Sequence, residues 1–183
     1  MMTKKIQEIA DKISIWRETL LASINGLSGA QINFKPAEGE WSIADILHHL
    51  ALADEANVRL SGLFFRQIKE QSVPADPSPD GSALDCMDKF RDGLSGKAKA
   101  PERVAPLSHL AAEESLARMR ASREKLIEAM SGLSAYDLSR VSFPHPLLGA
   151  LNGYQWLMIA GLHEIRHAAQ IERIKTGEGF PAN

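Results

Sequence analysis

The chain has 183 residues, of which 44% are hydrophobic and 24% are charged, and its formal net charge at pH 7 is −2. This composition excludes a disordered chain and a collagen, and the near-neutral charge argues against binding to nucleic acid or to an anionic membrane surface. Cys86 is the one cysteine, so an internal disulfide is excluded and we expect a cytoplasmic protein. No apolar run approaches the roughly 20 residues of a membrane span, and none follows the N-terminal residues as a signal peptide requires.

Apolar residues recur at helical spacing in four segments and predict four helices of about 20–25 residues each. Their approximate ranges are 3–25, 42–69, 108–132 and 153–176. Ser42, with Asp45 three residues later, is typical of a helix N-cap, and Gly177 is typical of a helix end. No segment predicts a strand convincingly, so the sequence predicts an all-α, single-domain four-helix bundle over residues 1–183.

The connections between the predicted helices differ in length and composition. Residues 27–41 and 133–152 are predicted to be loops, and so are the proline-rich residues 71–82. Residues 83–108 carry a weaker signal, with one short helix predicted over 84–94. The second and third long helices are thus separated by about 39 residues, a length that permits a parallel crossover.

Histidines on two of the predicted helices point to a metal site. His163 and His167 lie four residues apart, so they project from one face of the fourth helix, and its apolar neighbours predict that this face points inward. Imidazoles on successive turns can bind one first-row metal ion, and a catalytic zinc site needs a third protein ligand. The second helix offers His48 and His49. Helical phase places His49 on the buried stripe and His48 about 100° away, towards the polar rim, so His49 is selected.

The residues alone leave two interpretations of these inward histidines. In the first interpretation, three of them bind one divalent metal ion: His49, His163 and His167. In the second, they form a metal-free network in which each neutral imidazole needs one donor and one acceptor in apolar surroundings. We expect three further polar residues close to the ligands, where they orient the ligands or contact a substrate: His48, Glu164 and Gln170.

Residues 163–167 match the H-E-x-x-H signature of zinc metalloproteases, in which the glutamate is the general base. The extended signature needs a glycine and a third histidine shortly downstream, and residues 168–173 supply neither. No predicted strand is present to hold a peptide substrate. We therefore reject a protease and expect Glu164 to form a salt bridge at the rim of the site, with an acid–base role beside the metal as the alternative.

Three aromatic residues complete the set of candidates. Trp41 and Trp156 are predicted to anchor the core rather than to stack on a ligand. His145 lies between two prolines and is predicted to be a turn residue, with shaping of the mouth of the site as the alternative.

Two segments resemble the DinB-like superfamily of damage-inducible proteins and their relatives. Residues 41–50 (WSIADILHHL) resemble the start of its second helix, where a tryptophan–serine N-cap is followed by a His-Leu pair. Residues 145–171, which contain HP, WL and HEIRHAAQI, resemble the final helix of its second subfamily. The resemblance covers nearly all of the chain, and it is weakest over residues 70–108.

This resemblance implies a four-helix bundle in up-down-down-up order and a site of three histidines, one from the second helix and two from the fourth. These map onto His49, His163 and His167, and the implied ion is zinc or nickel. Characterised relatives include enzymes that transfer low-molecular-weight thiols such as bacillithiol and mycothiol. The resemblance thus implies a bacterial, cytoplasmic metalloenzyme that transfers a small thiol, and it leads us to expect a homodimer. A hydrolase that uses metal-bound water and a non-catalytic binding or stress-response protein with a structural metal stay open as alternatives.

Overall fold

The computed structural model describes residues 2–83, 100–106 and 110–182, and these residues are mostly helical. The helices are α1 (Lys4–Ile24), the one-turn α2 (Gly29–Asn33), α3 (Ile43–Gln71), α4 (Ala112–Leu133) and α5 (Gly153–Lys175). The predicted all-α four-helix bundle is therefore confirmed by α1, α3, α4 and α5. The short helix predicted over 84–94, Cys86 and the predicted helix start at Ser108 lie outside the described residues. No helix in the described part of the chain is long and apolar enough to cross a membrane.

The long helices run in the predicted up-down-down-up order. Contacts that fix the directions are Ile13–Gly161 and Arg17–Glu164 between α1 and α5, and Glu55–Arg118 and Phe65–Gly132 between α3 and α4. Residue numbers rise together within each pair, so α1 is parallel to α5 and α3 is parallel to α4. The Thr3 amide donates to Ser134 Oγ, whereas Arg123 reaches the Ile13 carbonyl, so α1 is antiparallel to α4. The connection from α3 to α4 is therefore the parallel crossover that its length permits.

Local sequence explains where these helices start. Ser42 Oγ accepts from the Asp45 amide at the start of α3 while Asp45 accepts from the Ser42 amide, which forms the predicted N-cap of this helix as a capping box. Asn152 and Gln155 form the same reciprocal pair at the start of α5. Both helices that carry the candidate ligands are thus fixed at their N-termini by side-chain hydrogen bonds.

The apolar core consists of two clusters stacked along the bundle. The lower cluster is built around Ile9, Ile13, Phe64, Met130 and Met158, all of which are at most 1% exposed. The upper cluster is built around Leu20, Ile43, Leu47, Met119 and Ile171, which are fully buried. Among the histidines predicted to bind metal, His49 lies between upper-cluster residues of α3, and His167 lies beside Ala168 of that cluster on α5.

The expectation that the chain has no strand is wrong in one place. Strand β1 (Ser142–His145) pairs antiparallel with β2 (Gly149–Asn152) in a short hairpin, and Gly149, which follows the turn as the first residue of β2, has a φ of +73°. Four-residue strands are too short to show an alternating pattern, and Pro144 argues against a strand, so periodicity does not reveal them. The one-turn α2 lies likewise within the predicted loop 27–41. The hairpin leads directly into α5.

Candidate metal centre

The structure brings the three predicted ligands together from α3 and α5. Nε2 of His163 lies 3.1 Å from Nε2 of His49 and 3.1 Å from Nε2 of His167. The three ring centroids are 4.7 to 4.9 Å apart, with planes inclined by 67° to 83°, so the rings meet edge to face. Nitrogen ligands of a tetrahedral zinc ion, with bonds of about 2.0–2.1 Å, lie about 3.3 Å from one another. The two spacings to His163, with ligand atoms of all three residues within 4.8 Å of one another, fit one ion.

Hydrogen bonds on the far side of two rings fix which nitrogen carries the proton. His49 Nδ1 lies 2.7 Å from the main-chain oxygen of Val104, which accepts its hydrogen. His167 Nδ1 lies 2.9 Å from Oε1 of Gln170, which also accepts. A neutral imidazole carries one N–H, so Nε2 of each ring presents a lone pair towards the centre. Hydrogen bonds of this kind orient the histidine ligands of metal sites.

These tautomers distinguish between the metal-bound and metal-free interpretations. His163 Nε2 faces the lone pairs of both His49 and His167, and as part of a neutral ring it has at most one hydrogen to donate. A metal-free cluster therefore leaves one buried lone pair without a donor, which is unfavourable. A divalent cation binds all three lone pairs at once. The residues present thus fit a metal ion better than a metal-free network.

The surroundings keep the three imidazoles neutral. Burial lowers the pKa of His49, and it lowers the pKa of His163 well below its ordinary value. Burial lowers the pKa of His167 to about 3, and the nearby His49 contributes to this shift. Because a neutral imidazole is the form that binds metal, the site is ready for a cation at neutral pH.

His48 does not lie at the rim as helical phase predicts. Its side chain is buried, at 7% exposure, and its Nδ1 has no hydrogen-bond partner within the described residues. Two turns further along the same face of α3, Glu55 accepts a hydrogen bond from Arg118, so α4 packs on this face of the helix. A helix with two neighbours in a bundle buries a wider arc than one stripe, and that arc includes both histidines.

Glu164 also differs from its predicted place at the rim. It is fully buried, and its Oε1 accepts from Nη2 of Arg17 and of Arg123, the latter at 2.5 Å. Arg17 donates in addition to Asp54 at 2.5 Å, and burial together with the negative charge of Glu164 raises the pKa of Asp54. The carboxylate of the H-E-x-x-H match is thus bound by two arginines. Gln170, in contrast, lies against His167 as one of the residues expected close to the ligands.

The aromatic residues among the candidates differ in their contacts with the histidine cluster. The ring of Trp41 lies 4.9 Å from that of His49 and 6.5 Å from that of His167, nearly parallel to the latter. Trp41 therefore forms a wall of the site in addition to packing on the upper cluster, which the sequence interpretation missed. His145 accepts from the amides of Leu147 and Leu148, as a turn residue does, and its ring lies 5.0 Å from Trp156.

Sequence reasoning also missed Val104 and the arginines that bind Glu164. Val104 contributes only a main-chain oxygen, for which a sequence holds no signal. Arg17 does give a signal, because it falls on the apolar stripe of α1 between Ile13 and Leu20 and must therefore be buried with a partner.

Comparison with known proteins identifies the family. A sequence model of the DinB superfamily matches residues 13–171 of the chain. The chain belongs to the DinB superfamily. Uncharacterized protein YuaE of Bacillus subtilis (strain 168) is 30% identical to this DinB-superfamily chain over 168 residues, which cover 89% of the chain and 96% of YuaE. The crystal structure of TT2238, a four-helix bundle protein, is similar with a TM-score of 0.61 and 21% identity, over 91% of this chain and 98% of that one. At this identity the structural likeness shows the fold alone.

Proposed function

We propose that this DinB-superfamily protein is a metal-dependent enzyme that transfers a low-molecular-weight thiol onto an electrophile. In this proposal His49, His163 and His167 hold one zinc or nickel ion. The observation that carries it is that Nε2 of His163 lies 3.1 Å from Nε2 of both His49 and His167, whose lone pairs are oriented by the hydrogen bonds to Val104 and Gln170. An ion held there by the three imidazoles would act as a Lewis acid that favours ionisation of a thiol near neutral pH.

The charges around the histidines suit a thiolate. After burial, the positive charge of Arg166 is a further cause that lowers the pKa of all three imidazoles, and Arg173 contributes at His167. Arg103 acts in the same way on His145, whose pKa is lowered first by burial. A positive potential favours the anionic form of a substrate, and it attracts a thiol that carries carboxylates.

Two neighbouring groups cover parts of the histidine cluster. Trp41 covers one side of the histidines, and the main chain at Val104 covers another. In the transfer step the sulfur forms a bond to an electrophilic carbon, the leaving group departs with the bonding electron pair, and the proton of the thiol passes to solvent. In this proposal the role of the chain is to hold the three imidazoles and to stabilise the negative charge before the transfer.

A direct assay tests this proposal. Protein loaded with Zn(II) or Ni(II) is mixed with several small thiols and a chlorodinitrobenzene, from which chloride leaves as the sulfur–carbon bond forms. We expect at least one thiol to react faster than without protein, and we expect His163→Ala to abolish this acceleration. Rates equal to the uncatalysed rates for every thiol, with the metal still bound, would show that the ion does not serve this reaction.

A further inference from the structure

A buried ionic cluster joins all four long helices of the bundle. Its members are Arg17 of α1, Asp54 of α3, Arg123 of α4 and Glu164 of α5, and their side chains are at most 12% exposed. Arg17 donates to both carboxylates, and Arg123 donates to Glu164 at 2.5 Å and to the main-chain oxygen of Ile13 at 3.1 Å. Removal of any one member changes a contact between helices.

The cluster lies between the two apolar clusters of the core. Each long helix contributes one residue to the ionic cluster, and that residue lies between residues of the lower apolar cluster and residues of the upper apolar cluster. The flanking pairs are Ile13 and Leu20 on α1, Phe64 and Ala51 on α3, Leu126 and Met119 on α4, and Ala160 and Ala168 on α5. The ionic cluster is thus one polar layer across an otherwise apolar interior.

Stability alone does not account for this layer. Arg17 Nε, Arg123 Nε and Glu164 Oε2 are buried and have no hydrogen-bond partner within the described residues. A buried ion cluster with unsatisfied atoms is often less stabilising than apolar side chains of similar volume. Apolar packing, however, tolerates alternative arrangements and loses a unique geometry before it loses stability. Directed ionic contacts from four helices instead define how each helix is rotated.

The rotation of α5 matters most, because Glu164 directly follows His163 and precedes His167 by three residues. An imidazole Nε2 lies about 6 Å from the helix axis, so a rotation of about 20° moves it by about 2 Å. Metal ligands must lie within about 0.2 Å of their ideal distances. A small rotation of α5 would therefore separate its histidines from His49.

We propose that Arg17, Asp54, Arg123 and Glu164 are positioning residues that fix α5 in the rotation at which His163 and His167 meet His49. This inference rests on the proposed metal centre for its function, although the arrangement it describes exists in the metal-free protein. Since Glu164 binds the arginines of α1 and α4, its carboxylate acts on the ligands through the helix and not by contact with them.

Three variants test this proposal. Glu164→Gln keeps the shape of the side chain and removes its charge. An apolar variant combines Arg17→Met, Asp54→Leu, Arg123→Met and Glu164→Leu. The matched control is Glu55→Gln, which removes the charge from an ion pair between α3 and α4 that does not reach α5. Each is titrated with Co(II), followed by its visible absorption, and its metal-free form is melted.

We expect both cluster variants to bind Co(II) roughly ten-fold or more weakly, with a weaker and shifted absorption band, while Glu55→Gln matches the wild type. The apolar variant should melt within a few degrees of the wild type, which separates positioning from stability. Wild-type affinity and absorption in either folded cluster variant would overturn the proposal. If the apolar variant does not fold, Glu164→Gln decides the question.

A metal-free measurement keeps this inference separate from the proposed function. Nitrogen-15 NMR of labelled histidines reports the tautomers and contacts of the three rings. We expect the ring-nitrogen chemical shifts of His49, His163 and His167 to differ from the wild type in Glu164→Gln. In Glu55→Gln we expect them to equal the wild-type values. If the wild type binds no Co(II), the proposed metal centre is wrong. The positioning role is then decided by the NMR shifts alone: a change in Glu164→Gln supports it, and unchanged shifts refute it.

Discussion

Gln170 accepts a hydrogen bond from Nδ1 of His167 at 2.9 Å, one helical turn further along α5. This contact leaves Nε2 of His167 with its lone pair towards His49 and His163. A side chain outside the set of ligands therefore determines which nitrogen of a ligand is available.

Replacement of Gln170 by leucine should weaken metal binding while His167 itself is unchanged. Without the acceptor, the imidazole can place its proton on Nε2 and turn from its position, and loss of such a partner typically costs about 10–100-fold in affinity. Competition with a chromophoric chelator measures this change. Gln170→Glu keeps an acceptor at the same place and should retain most of the affinity; equal losses in both variants would contradict the explanation.

Alanine substitutions should distinguish the three proposed ligands from His48 by their effect on metal affinity. Alanine at His49, His163 or His167 should each cut the affinity for Zn(II) severely, because two imidazoles hold the ion far less well than three. His48→Ala should keep most of it, since its ring does not join the converging nitrogens. Metal content after dialysis and the melting temperature with and without chelator check both statements. Loss of metal from His48→Ala with retention in His49→Ala would place the ligand one residue earlier.

The metal-free protein should lose stability as the pH falls from about 6.5. His167 has a pKa of about 3 in the folded protein and about 6.5 when unfolded, so between these values only the unfolded state binds its proton. The stability is therefore fully present above pH 6.5 and decreases below it, by about 2 kcal/mol at pH 5 for this residue. Urea unfolding of metal-free protein at pH 7 and pH 5 measures the loss. His167→Leu should show a smaller difference between the two pH values, and an unchanged difference would assign the loss to other groups.

Two glycines in long helices should respond to alanine in opposite directions. A Cβ on Gly161 of α5 would lie 2.9 Å from Cα of Ile13 and 2.5 Å from the ring of Trp16, so α1 and α5 would have to separate. We expect Gly161→Ala to destabilise the protein by about 1–3 kcal/mol. Gly62 of α3 is exposed with nothing within 4 Å of a Cβ, so Gly62→Ala should stabilise the protein by up to about 1 kcal/mol. Thermal melting measures both, at about 2–4 °C per kcal/mol.

The match to the metalloprotease signature should have no proteolytic consequence. Glu164 is bound by two arginines in the core and is not available to a substrate. Purified protein loaded with zinc should leave unfolded casein intact, as judged by gel electrophoresis over hours. Cleavage that a chelator stops and Glu164→Gln abolishes would show that this carboxylate reaches the site after all.

The features that the sequence predicts correctly are those with a local or periodic signal. The long helices follow from apolar spacing, and the cap at Ser42 follows from Asp45 three residues later. His49, His163 and His167 share inward faces, so helical phase alone brings them to one region of the bundle. Each of these predictions depends on residues within one or two turns of each other.

The features that the sequence does not predict depend on distant partners. Glu164 binds Arg17 across 147 residues of sequence and Arg123 across 41, so its burial cannot be inferred from its neighbours. His48 is buried because α4 covers a second face of α3, which only the packing of the helices determines. From sequence, a polar residue next to a ligand is predicted to lie at the rim of the site. In this bundle the prediction is wrong for His48 and Glu164, because neighbouring helices bury both.

The hydrogen bond from His49 to Val104 places a different kind of constraint on the family than the one from His167 to Gln170. At position 104 the acceptor is a main-chain oxygen, so any side chain that suits a buried position serves equally well. What must be preserved is the path of the chain that brings this carbonyl to the imidazole. Relatives can therefore differ in residue type at this position and still specify the same tautomer, and an aligned column would not reveal that it is part of the site.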